Sequence, residues 1–388
     1  MTRGSSRTER IVVVGASLAG TTMVDKLRRQ GFAGRLTLVG EELRAAYNRP
    51  ALSKGILTGS DDPDEIALPT LSCEVDEHLG EPATGVDLDR REVVLAGGER
   101  IGFDKLAIAT GARARRLAEC NAAEPGVKEM TFRDVDDALS LGRRLADQPH
   151  VVIVGAGILG MELASACVER GATVTVVGQQ PPLHCQLGSY LADLLAEAAT
   201  RRGVRFAHHP AGVRLRGTAG PPAAELGDGR RYEGDLVLTA VGCTPNVEWL
   251  ESSGLPVRDG IRVDDRCRLG PDIVVAGDVA AFPSATGHRR TPWWNSALEQ
   301  ANTAALALLH GDAAPPLIPS PYFWTEQFGI SVRVSGVLPA VGEPIVVDGD
   351  RGTGELILKW PSRHGCATAA AVNKRIPINR LRALTQSA

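Results

Sequence analysis

At 388 residues, the chain is long enough for two or three domains at the usual ~100–200 residues each. Hydrophobic residues at 43% and charged residues at 23% exclude a largely disordered chain, and a net charge of −3 argues against a nucleic-acid-binding chain. Glycine is the outlier at 43 residues, about 11% against an ordinary ~7%; with no strict Gly-x-y period, it serves tight turns and close backbone approaches rather than collagen.

The first ten residues are polar, and the apolar run after them is broken by Gly15 and Ser17. That run falls far short of the ~20 residues a membrane span needs and lacks the layout of a signal peptide. A cytoplasmic chain without membrane association is therefore expected. Residues 11–14 are a continuous β-branched run, as in a parallel strand covered on both faces. The turn Gly15-Ala16-Ser17-Leu18-Ala19-Gly20 follows, then a helical stretch over 21–30 closed by Gly31, then a second apolar strand over 36–39. Further strands are predicted over 92–95 and over 105–109, the latter running into Ala109-Thr110-Gly111, and a helix over 134–146.

The pattern then repeats about 140 residues later. A strand over 151–154 leads into Gly155-Ala156-Gly157-Ile158-Leu159-Gly160, a helix over 161–170 closed by Gly171, and a strand over 174–177. Apolar runs over 235–240 and 273–276 lead to Gly242 and Gly277, and the four prolines of 311–321 mark a linker. Short strands over 330–338, 343–348, 354–360 and 367–373 and a helix from Ile378 complete the chain. The fold class read from this order is α/β, with two Rossmann-like dinucleotide-binding domains and a small α+β C-terminal domain. The expected boundaries are 8–112 with 236–315 for the first domain, 113–235 for the inserted second, and 316–388 for the last.

Both glycine turns carry chemistry. In the first, Gly15 permits the tight turn and Gly20 the close packing of helix on strand, so that the helix N-terminus, with its ~+0.5 charge, faces a pyrophosphate. Ser17 stands where the middle glycine belongs, and Glu41-Glu42 follow the second strand where a ribose-binding acid is placed. The second turn is a full G-x-G-x-x-G, with Glu162 two residues into its helix. The strand after it ends in Gly178-Gln179-Gln180, with neither an acid for a 2′-hydroxyl nor an arginine for a 2′-phosphate. Two such turns imply two nucleotides.

Seven cysteines stand at 73, 120, 167, 185, 243, 267 and 366, none in a Cys-x-x-Cys pair. The scatter points to a reducing compartment, and Cys167 and Cys243 are most simply packing residues. The eight histidines show no H-x-x-x-H spacing, His208-His209 reads as a loop pair, and no metal site is expected.

Four further stretches make the chain resemble the FAD-dependent, glutathione-reductase-like superfamily, and within it the NAD(P)H:ferredoxin reductases that feed Rieske oxygenases and cytochromes P450. Tyr47-Asn48-Arg49-Pro50-Ala51-Leu52-Ser53-Lys54 is similar to the family's Tyr-Asp-Arg-Pro-Pro-Leu-Ser-Lys, with Asn48 and Ala51 as departures. Thr110-Gly111 ends a strand beside the flavin nucleotide in that family, Ile273-Val274-Val275-Ala276-Gly277-Asp278 resembles its late FAD motif, and 322–329 resembles its Phe-Trp-Ser-Asp-Gln-Tyr-Gly. The resemblance implies FAD on Gly15, Ser17, Ala19, Gly20, Glu41, Arg49, Lys54, Ala109, Thr110, Gly111, Gly277, Asp278 and Trp294. It implies NAD(P)H, with NADH favoured and NADPH possible, on Gly155, Gly157, Ile158, Leu159, Gly160 and Gly242. Arg49 is the implied guanidinium contact to an FAD phosphate. Lys54 paired with Glu162, and Trp324, are implied beside the isoalloxazine; the competing readings are an ordinary surface pair and a core tryptophan. Pro292 stands where the family commonly carries an acid before Trp294.

A disulfide reductase of this superfamily needs a cysteine pair near the flavin, and the sequence has none. The implied function is electron transfer from NAD(P)H through FAD to an iron–sulfur ferredoxin. An oxygen- or peroxide-consuming flavoenzyme and an FAD-binding protein with a decayed NAD site are the alternatives. From Arg351 onward, seven basic residues face one acid, a segment charge of +6 that leaves −9 on residues 1–350. A basic surface of this kind suits an acidic ferredoxin; a solvated face is the plainer reading.

Overall fold

The computed structural model describes residues 8–218, 220–257, 259–284, 287–361 and 367–386; Arg363 and Cys366 lie outside the described residues. The chain divides into two compact units. One comprises residues 1–48, 66–113 and 244–319, the other 49–65, 114–243 and 320–388.

In the first unit a six-stranded sheet has the spatial order Arg268–Gly270, Ile273–Val275, Lys105–Ile108, Arg10–Val14, Arg35–Gly40, Asp76–Leu79. All neighbours are parallel except the first pair. The sheet's strands are apolar throughout because both faces are covered, with Ile11, Val12 and Val13 fully buried. Helix Leu18–Arg29 packs Met23, Val24 and Leu27 into one core with Ala301, Ala304, Ala305 and Leu308 of helix Trp294–His310. The small alanines let the helices approach closely, and each large buried side chain contributes roughly 1.5–3 kcal/mol.

The second unit repeats the motif in a five-stranded parallel sheet ordered Arg205–His208, Thr173–Gly178, His150–Val154, Leu236–Thr239, Met130–Thr131. It also holds a five-stranded antiparallel sheet, ordered Tyr322–Gln327, Ile330–Ser335, Thr368–Val372, Glu355–Trp360, Ile345–Asp350, with helix Ile378–Gln386 packed on it.

Three boundaries differ from the sequence expectation. Helices Leu18–Arg29 and Ile158–Glu169 begin three residues early, because Ser17 and Gly157 are the extended N-cap residues and the last part of each glycine turn is already helical. Helix Val135–Arg144 starts at an Asp134/Asp137 capping box and ends before a short 3₁₀ turn over Leu145–Asp147. Strands Asp76–Leu79 and Tyr322–Gln327 carry no clear alternation and were not expected. No helix among the described residues is long and apolar enough to cross a membrane.

Candidate functional site

In the first unit, the end of strand Arg10–Val14 is held from both sides. Gly15 N–H donates to Val39 O at 2.7 Å, and Ala109 N–H to Val14 O at 2.7 Å. The chain then reverses at Gly15 with φ +115°, which a side chain tolerates poorly. A Cβ at Gly20 would lie 1.8 Å from Gly15 O, so this glycine is what lets the helix sit on the turn. Ser17 makes no side-chain capping bond, leaving first-turn N–H groups to face a ligand. Gly277, at φ +84°, approaches the same helix end: a Cβ there would stand 3.2 Å from the Ala19 methyl.

Two residues that sequence reasoning missed hold these loops. Gln300, buried on helix Trp294–His310, accepts from Gly277 N–H at 2.9 Å and donates to Ser296 at 3.0 Å. Asn246 donates to Thr110 O at 2.9 Å, and its carbonyl accepts from the Thr110 hydroxyl at 2.8 Å. Its N–H also donates to Gly111 O at 3.1 Å. Of the adjacent acids, Glu42 accepts from the Tyr47 hydroxyl at 2.7 Å, whereas exposed Glu41 has no partner among the described residues. A glycine cradle, an open helix N-terminus and a free carboxylate after the second strand fit the phosphate and ribose of a dinucleotide. Gly15, Ser17, Ala19, Gly20, Ala109, Thr110 and Gly277 are thus brought together. Trp294 opens helix Trp294–His310, and Asp278 O accepts from Arg290 at 3.1 Å. Arg49 falls in the second unit, donating to Arg133 O at 3.2 Å.

The second unit reproduces the turn almost atom for atom. Gly155 N–H donates to Val177 O at 2.8 Å and Ala240 N–H to Val154 O at 2.7 Å. Gly155 has φ +114°, and Cβ atoms built at Gly155 and Gly160 would meet Ala240 O at 2.2 Å and Gly155 O at 1.9 Å. Gly157 has no side-chain cap, and a Cβ there would reach only Gln186 at 3.5 Å, so ligand backbone approach is open. Ile158 and the exposed Leu159 form the helix's first residues, and Gly242 has φ +101° with nothing near its missing Cβ.

The same helix carries Glu162, which is buried. Its carboxylate accepts from Lys54 Nζ at 2.8 Å and Ser53 Oγ at 2.6 Å through one oxygen, and from Thr325 Oγ1 at 2.7 Å through the other. Lys54 sits at a kink within Leu52–Ile56, with φ −122° and ψ −110°, and also donates to Pro50 O at 3.2 Å. One turn on, Ser165 Oγ accepts from Phe328 N–H at 2.6 Å. The expected Lys54–Glu162 pair is therefore present and sheltered. Trp324 is not part of that cluster: strand alternation sends it to the face opposite Thr325, where it stacks on Tyr322 with centroids 6.0 Å apart. Ser53 and Thr325 escaped the sequence reading because a hydroxyl residue 109 or 163 positions away carries no local signal.

All six described cysteines are free. Burial pushes the Cys167 thiol up to about 12 and the Cys267 thiol higher still, helped there by Asp264 and Asp265, so neither is a thiolate nucleophile.

The model of the family described as pyridine nucleotide-disulphide oxidoreductase matches residues 9–305. The ferredoxin–NAD(+) reductase component of the biphenyl dioxygenase system of Paraburkholderia xenovorans is 34% identical over 371 residues, covering 94% of this chain and 90% of the relative. Rhodocoxin reductase of Rhodococcus erythropolis is 33% identical, covering 89% and 82%. Among solved structures, the covalent putidaredoxin reductase–putidaredoxin complex superposes with a TM-score of 0.84 at 25% identity, over 97% of this chain and 93% of that one. The repeated nucleotide turn and these matches lead to one assignment: the chain belongs to the pyridine nucleotide-disulphide oxidoreductase family.

Proposed function

We propose that this chain is a flavin-dependent NAD(P)H:ferredoxin reductase, delivering electrons to an iron–sulfur ferredoxin that serves a Rieske oxygenase or a cytochrome P450. The observation that carries this reading is the nucleotide turn built twice, at Gly15–Gly20 and Gly155–Gly160, in a chain similar over nearly its whole length to reductase components of oxygenase systems. FAD, when bound, supplies the chemistry of accepting a hydride and releasing electrons one at a time. The chain's own work is placement and electrostatics.

In this reading residues 8–112 and 236–315 form the FAD domain, 113–235 the NAD(P)H domain and 316–388 the ferredoxin-facing domain. Gly15, Ser17, Ala19 and Gly20 present helix N–H groups to the FAD pyrophosphate, with Arg49 as a guanidinium partner. Glu41 takes the ribose hydroxyls; Ala109, Thr110, Gly111, Gly277, Asp278 and Trp294 complete the flavin nucleotide's surroundings. Gly155, Gly157, Ile158, Leu159, Gly160 and Gly242 do the same for NAD(P)H. Lys54 offers a fixed positive charge near the reacting ring, Glu162 holds it, and Trp324 flanks the ring. NADH is the favoured coenzyme, supported by the absence of an arginine at 178–180. A cytoplasmic setting is supported by the scattered, unpaired cysteines.

Anaerobic titration of the purified yellow protein with NADH tests this. Bleaching at 1 equivalent per flavin is expected, followed by rapid reduction of an added ferredoxin and slow consumption of O2. A colourless protein that takes up no FAD, or a flavin that neither coenzyme bleaches, refutes the reading. Fast O2 consumption with no ferredoxin reduction assigns the chain to the oxidases.

A further inference from the structure

Behind the Lys54–Glu162 pair lies a chain of buried polar groups that the pair itself does not require. Thr325 is fully buried, Gln327 2% exposed and Ser53 4% exposed. Gln327 Nε2 donates to Thr325 Oγ1 at 3.0 Å, and an amide nitrogen has no lone pair with which to accept in return. The Thr325 oxygen is thereby used as an acceptor, so its proton points at Glu162 Oε1, 2.7 Å away. Ser53 Oγ, 2.6 Å from the other oxygen, donates likewise. Each carboxylate oxygen thus receives a neutral donor, and Oε2 is paired with Lys54 Nζ as well. Placing three buried polar side chains in one chain is costly, and the bonds they make in the right sense offset that cost. The direction is set from Gln327, whose own Oε1 is buried without a partner among the described residues.

We infer that Thr325, aligned by Gln327 and assisted by Ser53, is a positioning residue that fixes Glu162 in one rotamer, so that the Lys54 side chain is held in one orientation. The inference rests on the proposed role of Lys54 and Glu162 and deepens it. It assigns the Thr-x-Gln of strand Tyr322–Gln327 to holding the pair in place, whereas adjacent Trp324 faces the other way.

The test is trace acetylation of the holoenzyme with acetic anhydride at a fixed pH of about 8, where a free lysine is largely protonated. The label on Lys54 is quantified by peptide mass spectrometry and normalised to an exposed lysine. The panel is wild type, Thr325→Val, Thr325→Ser, Gln327→Met and Glu162→Gln. Thr325→Val, which frees Glu162 to change rotamer and so releases Lys54 from the pair, is expected to raise Lys54 labelling severalfold, towards the Glu162→Gln level. Thr325→Ser, which keeps the hydroxyl, is expected to restore the wild-type value. Gln327→Met lies between and serves if Thr325→Val does not fold. Labelling in Thr325→Val and Gln327→Met equal to wild type overturns the inference, as does Thr325→Ser behaving like Thr325→Val. Flavin reduction measured on the same samples separates the two levels. If Glu162→Gln raises labelling yet leaves the reduction rate unchanged, the functional reading of the pair fails while the positioning stands. If Glu162→Gln slows reduction and raises labelling but Thr325→Val does neither, only the positioning fails.

Discussion

A methyl group on Gly15 would stand 2.1 Å from the carbonyl oxygen of Ala109, and the same distance recurs as 2.2 Å between Gly155 and Ala240. In each unit the turn glycine is pressed against the end of the strand beside it, with positive φ. Gly15→Ala is therefore expected to cost more than about 1 kcal/mol and to yield protein depleted in FAD. Gly155→Ala is expected to retain its flavin but to raise the KM for NADH at least tenfold. Absorbance ratios at 450 and 280 nm and steady-state kinetics read both outcomes; an interchange of the two phenotypes would reverse the assignment of the nucleotides.

Lys54 and Glu162 are assigned to the reacting end rather than to the phosphates. Lys54→Met and Glu162→Ala should slow flavin reduction on the order of 10²-fold, the usual effect of losing a pre-organised charge, with FAD content little changed. Stopped-flow bleaching under excess NADH measures this. Variants that lose FAD yet keep the per-flavin rate would move both residues out of that role.

Coenzyme choice should lean to NADH with limited discrimination, because Gly178-Gln179-Gln180 provides neither a carboxylate nor a guanidinium. Each missing ribose hydrogen bond is worth about 0.5–1.5 kcal/mol. Comparison of kcat/KM for the two coenzymes decides it, and a hundredfold preference for NADPH is the contrary result.

The basic C-terminal segment is partly neutralised in the fold. Lys374 is paired with Asp348 at 2.7 Å, and its ammonium holds the Asp348 carboxyl below the usual carboxylate range. Exposed Arg375 has no such partner among the described residues, so charge reversal there is the cleaner probe of the ferredoxin dock. Arg375→Glu should raise the KM for ferredoxin severalfold and leave dye reduction unchanged, and ferredoxin reduction should fall steeply with salt while hydride transfer does not. Equal salt sensitivity of both half-reactions places the dock elsewhere.

Thiol reactivity should follow burial. Cys120 and Cys185 are exposed, Cys167 and Cys267 buried, and the Cys167 thiol is pushed up to about 12. In native protein at pH 8, maleimide should label the first two and reach the buried pair only after unfolding; mass spectrometry of the peptides checks it. Rapid native labelling of Cys167 would point to a redox thiol.

Local patterns in the sequence were enough to determine the two strand–turn–helix–strand units, because the continuous apolar strands and the glycines at the turns act within a few residues of one another, and the same pattern recurs about 140 residues later. They also sufficed for the glycines of the nucleotide turns, where the backbone admits no side chain. The sequence did not reveal that Asn246 staples Thr110 and Gly111, that Gln300 holds Gly277, or that Asp348 pairs with Lys374. Nor could it show that Ser53 and Thr325, 109 and 163 residues from Glu162, donate to its two oxygens. Only the tertiary structure decided these contacts, because a buried polar side chain takes whichever partner the packing of distant elements brings within hydrogen-bond reach.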